Sequence, residues 1–117
     1  MDLSSNRKGR RLKFAYIGDA ISASNLLYVP LKILHFEIID SPLNHGKRML
    51  MAQTTYINPE TGEVLKRPLM TESCQLISDI EGTEDSLPHL TKIRRSKEGY
   101  LLWTTLNQQE KDTLLTI

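Results

Sequence analysis

The chain has 117 residues, and its formal net charge is +1. A single cysteine, Cys74, excludes an intramolecular disulfide and any zinc site built on two cysteines of one chain, and His35, His45 and His89 are too scattered to suggest another metal cage. No apolar run approaches the roughly 18 residues of a membrane span, and the opening MDLSSNRKGRRLK lacks the apolar stretch of a secretory signal; the expected setting is the cytoplasm, with no membrane partner.

The near-zero charge is the sum of two unlike parts. Residues 1–13 hold Arg7, Lys8, Arg10, Arg11 and Lys13 against Asp2, a local +4. The remaining residues hold ten basic and thirteen acidic side chains, or −3. Within that body Glu72, Asp79, Glu81, Glu84 and Asp85 form an acidic block, followed by a basic block of Lys92, Arg94, Arg95 and Lys97. Such blocks can form separate patches on one surface.

In chain order, residues 1–11 read as a flexible basic arm, polar and without periodicity. Leu12 to Ile17 alternates Leu12, Phe14 and Tyr16 with Lys13 and Ala15, the pattern of a short strand. Ala20 to Leu27 fits either a capped helical turn or a loop. Leu31 to Asp40 (LKILHFEIID) is the strongest strand, apolar on both faces and therefore central, with Leu34, Phe36 and Ile38 assigned to one face and Leu31, Ile33 and Ile39 to the other. A turn over Ser41–Gly46 leads into a second strand, Arg48 to Ile57.

Asn58-Pro59-Glu60-Thr61-Gly62 is the clearest turn, because Pro59 presets φ and Gly62 supplies a positive φ. Glu63 to Met70 is the third strand, and Pro68 marks it as an edge or a bulge. Thr71 or Ser73 can cap a helix over 74–81, where Leu76, Ile77 and Ile80 share a face. Leu90 to Arg95, a turn at Ser96–Gly99, and Tyr100 to Leu106 form a closing hairpin. Residues 107–117 are a tail that either packs back on the body or docks on a partner through Leu114, Leu115 and Ile117. The fold class is mostly β with one short helix. It is a small five-stranded barrel over 12–106, with the helix where an OB barrel places one.

The motifs of common chemistries are missing. Neither GxxxxGK[ST] nor GxGxxG occurs, nor a GxSxG elbow, nor HExxH. A lone cysteine near a helix start is usually an apolar filler. Glu37 and Asp40 are three apart on a strand and point to opposite faces, a poor carboxylate pair. The chain therefore reads as non-enzymatic and without a cofactor.

The suggestive constellation is cations interleaved with rings. Lys47 and Arg48 start one strand, Lys66 and Arg67 lie in the next, and Arg94, Arg95 and Lys97 lead through the last hairpin. Tyr56, Tyr100 and Trp103 lie on or beside those strands. Single-stranded nucleic acid is held by this mixture, with cations along the phosphates and flat rings against the bases. The alternative for Tyr100 and Trp103 is packing, and for the Lys-Arg pairs edge protection.

Several short motifs lie in order over residues 31–104. They are ILHFEIIDS (Ile33–Ser41), MLMAQTTY (Met49–Tyr56), Thr71-Glu72-Ser73 before Leu76, Ile77 and Ile80, then Leu87-Pro88, Thr91-Lys92-Ile93, and Gly99-Tyr100 with Trp103. In this order they resemble a family of small OB-fold single-stranded-DNA-binding-like proteins encoded by phages and mobile elements. Glu72 stands where that family has a glycine, and His89 where an aromatic follows the proline. The arm and the tail lie outside the resemblance. It implies a replication or recombination accessory of a phage or plasmid that binds single-stranded DNA or RNA, with a replication protein as a possible partner. The second expectation is a protein-interaction module, an inhibitor or adaptor acting through Asp79–Asp85 or the tail. A homodimer paired through Leu12–Ile17 is compatible with either.

Overall fold

The longest apolar runs become the centre of a sheet. In the computed structural model, which describes residues 12–117, β1 (Ile21–Ser22), β2 (Leu31–Asp40), β3 (Arg48–Ile57) and β4 (Val64–Thr71) precede helix α1 (Cys74–Ile80). Strands β5 (His89–Arg95) and β6 (Leu101–Thr104) and helix α2 (Gln108–Leu115) follow. The sheet order is β1-β4-β3-β2-β5-β6. β2, β3 and β4 form an antiparallel meander, and β5 returns to pair with the start of β2, Leu31 opposite Thr91. The sheet curls into a half-barrel. The described residues are mostly β as expected, with six strands among them instead of five and two α-helices instead of one.

A bulge in β2 reassigns its two faces. The register with β3 shifts between Ile33 and His35, so Leu34 is the extra residue and is 39% exposed. Leu31, Ile33 and Phe36 therefore share the core face, with Ile38 packed beside them, and the strict alternation expected from sequence does not hold. Leu50, Ala52 and Tyr56 of β3, Leu69 of β4 and Ile93 of β5 complete this core, and Leu76, Ile77 and Ile80 of α1 close over it.

Local chemistry sets the element ends. Gly62 has φ +77° and donates its N–H to the Asn58 carbonyl, closing the β3–β4 turn. The Ser73 hydroxyl accepts from the Leu76 N–H and caps α1. Pro68 is buried opposite Gln53, and β4 lies between β3 and the short parallel β1, which pairs at Leu69 and Met70. β4 is thus not the sheet edge at that point. The ambiguous stretch after Asp19 becomes β1 and a 3-10 turn, Ala23–Asn25.

The tail is a helix packed on the body, the first of its two expected arrangements, with Leu114 inward and Leu115 61% exposed. Asn107 and Glu110 form a reciprocal capping box, Leu114 is 1% exposed, and Lys92 pairs with Glu110 at 3.2 Å. The Lys32 ammonium donates to the Ile117 carbonyl at 2.9 Å. The Asn107 N–H and, secondarily, Lys92 hold the Glu110 carboxyl below its ordinary value near 4.5. A depressed folded-state value gives stabilisation that is present above pH ~4.5 and lost as the pH falls through the folded value. Helicity at the C-terminus is expected to decline below pH ~4.5 in the native chain, and Glu110→Gln should flatten that decline in a circular-dichroism pH titration.

Candidate nucleic-acid interface

The seven expected cations fall into three places. Lys47 and Arg48 sit where the β2–β3 loop enters β3, both exposed. Arg48 is already paired with Glu81 at 2.7 Å across to the end of α1. That contact raises the pKa of the guanidinium and lowers that of the carboxyl. In β4, Lys66 is exposed, while Arg67 donates through Nε to the Asp19 carbonyl (2.8 Å) and through Nη2 to that of Ala20 (3.2 Å). Arg94, Arg95 and Lys97 surround the β5–β6 turn and are all exposed. Arg95 Nη1 donates to the Gly99 carbonyl at 3.3 Å.

The three expected rings do not act together. Tyr56 is 3% exposed inside the core, so it offers no face to a base, a correction that follows from its inward parity on β3. Trp103 is half-buried against the core opposite Ile93, and its indole N–H donates to the Leu76 carbonyl at 3.0 Å, tying β6 to α1. Tyr100 is 66% exposed at the β5–β6 turn.

Sequence reasoning missed a second exposed ring beside Tyr100's cations. Tyr28 is 58% exposed and has φ +64°, unusual for a bulky residue. Its N–H donates to the Ile93 carbonyl at 2.7 Å, and its hydroxyl accepts the Arg95 N–H at 3.3 Å. Nothing in Leu27-Tyr28-Val29 signals a left-handed backbone; only the pairing with β5 imposes it. Tyr28, Tyr100, Arg94, Arg95 and Lys97 thus belong to one end of the β5–β6 hairpin.

Residues 12–17 form no ladder, correcting the expected first strand. They lie across the outer face of β2 and β3 as a strap. Glu37 and Gln53, 8% and 3% exposed, hold it. The Glu37 carboxylate accepts the Lys13 N–H (3.0 Å), the Phe14 N–H (3.2 Å) and the Tyr16 hydroxyl (3.0 Å). Burial, with the Glu37 carboxylate beside it, pushes the Tyr16 phenol well above its usual value. Gln53 accepts the Ile17 N–H (2.7 Å) and donates to the Ile17 carbonyl (3.0 Å). His35 lies under the Phe14 and Tyr16 rings, with centroids 4.5 and 5.2 Å away. The basic arm, with Arg7, Lys8, Arg10 and Arg11, lies outside the described residues.

The remaining candidates of the sequence are spread out. His89 Nε2 lies 2.8 Å from the Thr83 hydroxyl, and His45 is exposed in the β2–β3 loop. Cys74 is exposed at the start of α1. Of the acidic block, Glu81 holds Arg48, Asp79 accepts from Gln75, and Glu72 accepts from Ser41 and Asn44. Among the described residues no three His, Cys, Asp or Glu side chains could share a metal ion, and no helix is long and apolar enough to cross a membrane. No protein-family model, curated protein or solved structure matches the chain.

Proposed function

We propose that the chain is a non-enzymatic single-stranded nucleic-acid-binding protein, an accessory to replication or recombination in a phage or plasmid. The observation that carries this reading is the exposed end of the β5–β6 hairpin. Two solvent-facing rings, Tyr28 and Tyr100, flank Arg94, Arg95 and Lys97 there. Flat rings stack on bases of any sequence, and the guanidinium and ammonium groups neutralise phosphates. Lys47 and Lys66 are further exposed cations, whereas Arg48 and Arg67 already hold protein groups. The strand order supports an OB-like half-barrel, because a three-stranded meander and a helix precede a hairpin that pairs back to the first meander strand.

Fluorescence anisotropy with a labelled ~30-nucleotide single strand and its duplex tests this reading. Preferential binding of the single strand, weakening with salt, is the expected result. Each phosphate contact contributes about −0.7 to the slope of log affinity against log salt. An Arg94/Arg95/Lys97→Ala variant should therefore bind more weakly, with a slope shallower by about 2. An unchanged slope removes the hairpin end as the phosphate site. Absence of binding to either nucleic acid at low salt removes the proposal.

A further inference from the structure

The strap over β2 and β3 is held in an unusual way. Adjoining strands bind through a main-chain ladder, but residues 12–17 bind through side chains of the face beneath them. Glu37 takes two successive main-chain N–H groups, and Gln53 takes both the N–H and the C=O of one residue, Ile17. Both side chains are more than nine-tenths buried, and the polar bonds found for them run to the strap. His35 supplies a flat surface between them, paired in register with Gln53 on β3. Together these groups recognise a polypeptide backbone in extended form, plus two rings spaced two residues apart. The strap that pairs this carboxylate and amide also covers them, so its departure exchanges these bonds for bonds to water.

The strap's attachment is equally specific. Gly18 has φ +89°, and a Cβ there would lie 2.0 Å from the Lys66 carbonyl oxygen. Arg67 then clamps the Asp19 and Ala20 carbonyls. The strap enters its site from a fixed hinge but leaves Leu12, Phe14 and Ile17 substantially exposed. It contributes no ladder bond to the sheet, so its departure leaves the strand pairing intact.

We infer that the outer face of β2 and β3 is a polypeptide-docking site whose resting occupant is the chain's own residues 12–17. The partner it fits is an extended protein segment with an aromatic–any–aromatic–aliphatic run like Phe14-Ala15-Tyr16-Ile17. The Glu37 carboxylate and the paired bonds of Gln53 match peptide N–H and C=O groups, and the carboxylate disfavours a phosphate backbone. A tethered segment has an effective concentration of about millimolar, so an external segment of equal fit competes only near that concentration until the strap is released.

The probe is a synthetic peptide with the sequence of residues 12–20, titrated into the full chain and followed by the Gln53 side-chain amide resonances. The unmodified chain should show no response below ~1 mM. Phe14→Ser/Tyr16→Ser in the chain removes the ring contacts from surface positions without touching the core. That variant should bind the native peptide at least tenfold more tightly than the unmodified chain does. A peptide with the same two serines should bind it at least tenfold more weakly. Gly18→Val provides a second opened chain. Amide exchange at Lys13, Phe14 and Ile17 reports whether the strap has left. Loss of their protection in both variants without peptide binding overturns the inference, as does protection that persists in both. Equal peptide binding by the unmodified chain overturns the masking. A 30-nucleotide single strand that moves the Gln53 resonances where the peptide does not would assign the face to nucleic acid instead.

Discussion

Tyr56→Ala is expected to lower stability by about 3–5 kcal/mol, the range for removing a large aromatic from a packed interior. Tyr56 is 3% exposed and lies opposite Leu65 on β4, where both side chains join the core. At about 4 °C per kcal/mol for a domain of this size, the melting temperature should fall by about 12–20 °C. Tyr100→Ala is the matched control. Its ring is 66% exposed, and a surface substitution of this kind changes stability by about 0.5 kcal/mol or less. If the hairpin end binds single strands, that same variant should lose about 1–3 kcal/mol of affinity for each base the ring stacks. Thermal melts and anisotropy on the two variants separate a packing ring from a binding ring. A Tyr56→Ala chain that melts normally would show that β3 does not place this ring in the core.

Gly18→Val is expected to expel the strap and cost about 2–3 kcal/mol. A β-branched side chain at φ +89° carries about 1–3 kcal/mol of backbone strain by itself. The added Cβ also falls 2.0 Å from the Lys66 carbonyl, a backbone atom held in the β3–β4 ladder that cannot step aside cheaply. Release of the strap relieves the clash but leaves Glu37 and Gln53 without their main-chain partners. Hydrogen exchange should show fast amides at Lys13, Phe14 and Ile17 with the β2–β3–β4 amides still protected. Uniform loss of protection would mean instead that the strap is integral to the sheet's stability.

Both expectations depend on parity along a strand, which a sequence displays only until a bulge interrupts it. The apolar runs Leu31–Asp40 and Arg48–Ile57 were legible as neighbouring strands because apolar residues dominate them between turn residues. Leu34 then shifts the pattern by one residue, and no local signal distinguishes that insertion from continued alternation. The same limit applies to the rings. Tyr56, Tyr100 and Trp103 look alike in sequence as aromatics beside cations. Their fates differ because one faces inward, one caps a turn, and one finds a carbonyl on a helix 27 residues earlier.

What the amino-acid order determined by itself was local. It set the three long strands, the Asn58–Gly62 turn, the Ser73 cap of a short helix with Leu76, Ile77 and Ile80 inward, and the mostly β class. These follow from side-chain period, turn chemistry and capping, which act over a few residues. Only the tertiary structure decided the strap, the packed tail and the grouping of Tyr28 with Tyr100. The strap depends on Glu37 and Gln53 meeting main-chain groups 23 to 36 residues away, and the tail on Lys92 meeting Glu110. Polar contacts between distant segments leave no periodic trace, because their partners become neighbours only after the sheet has curled.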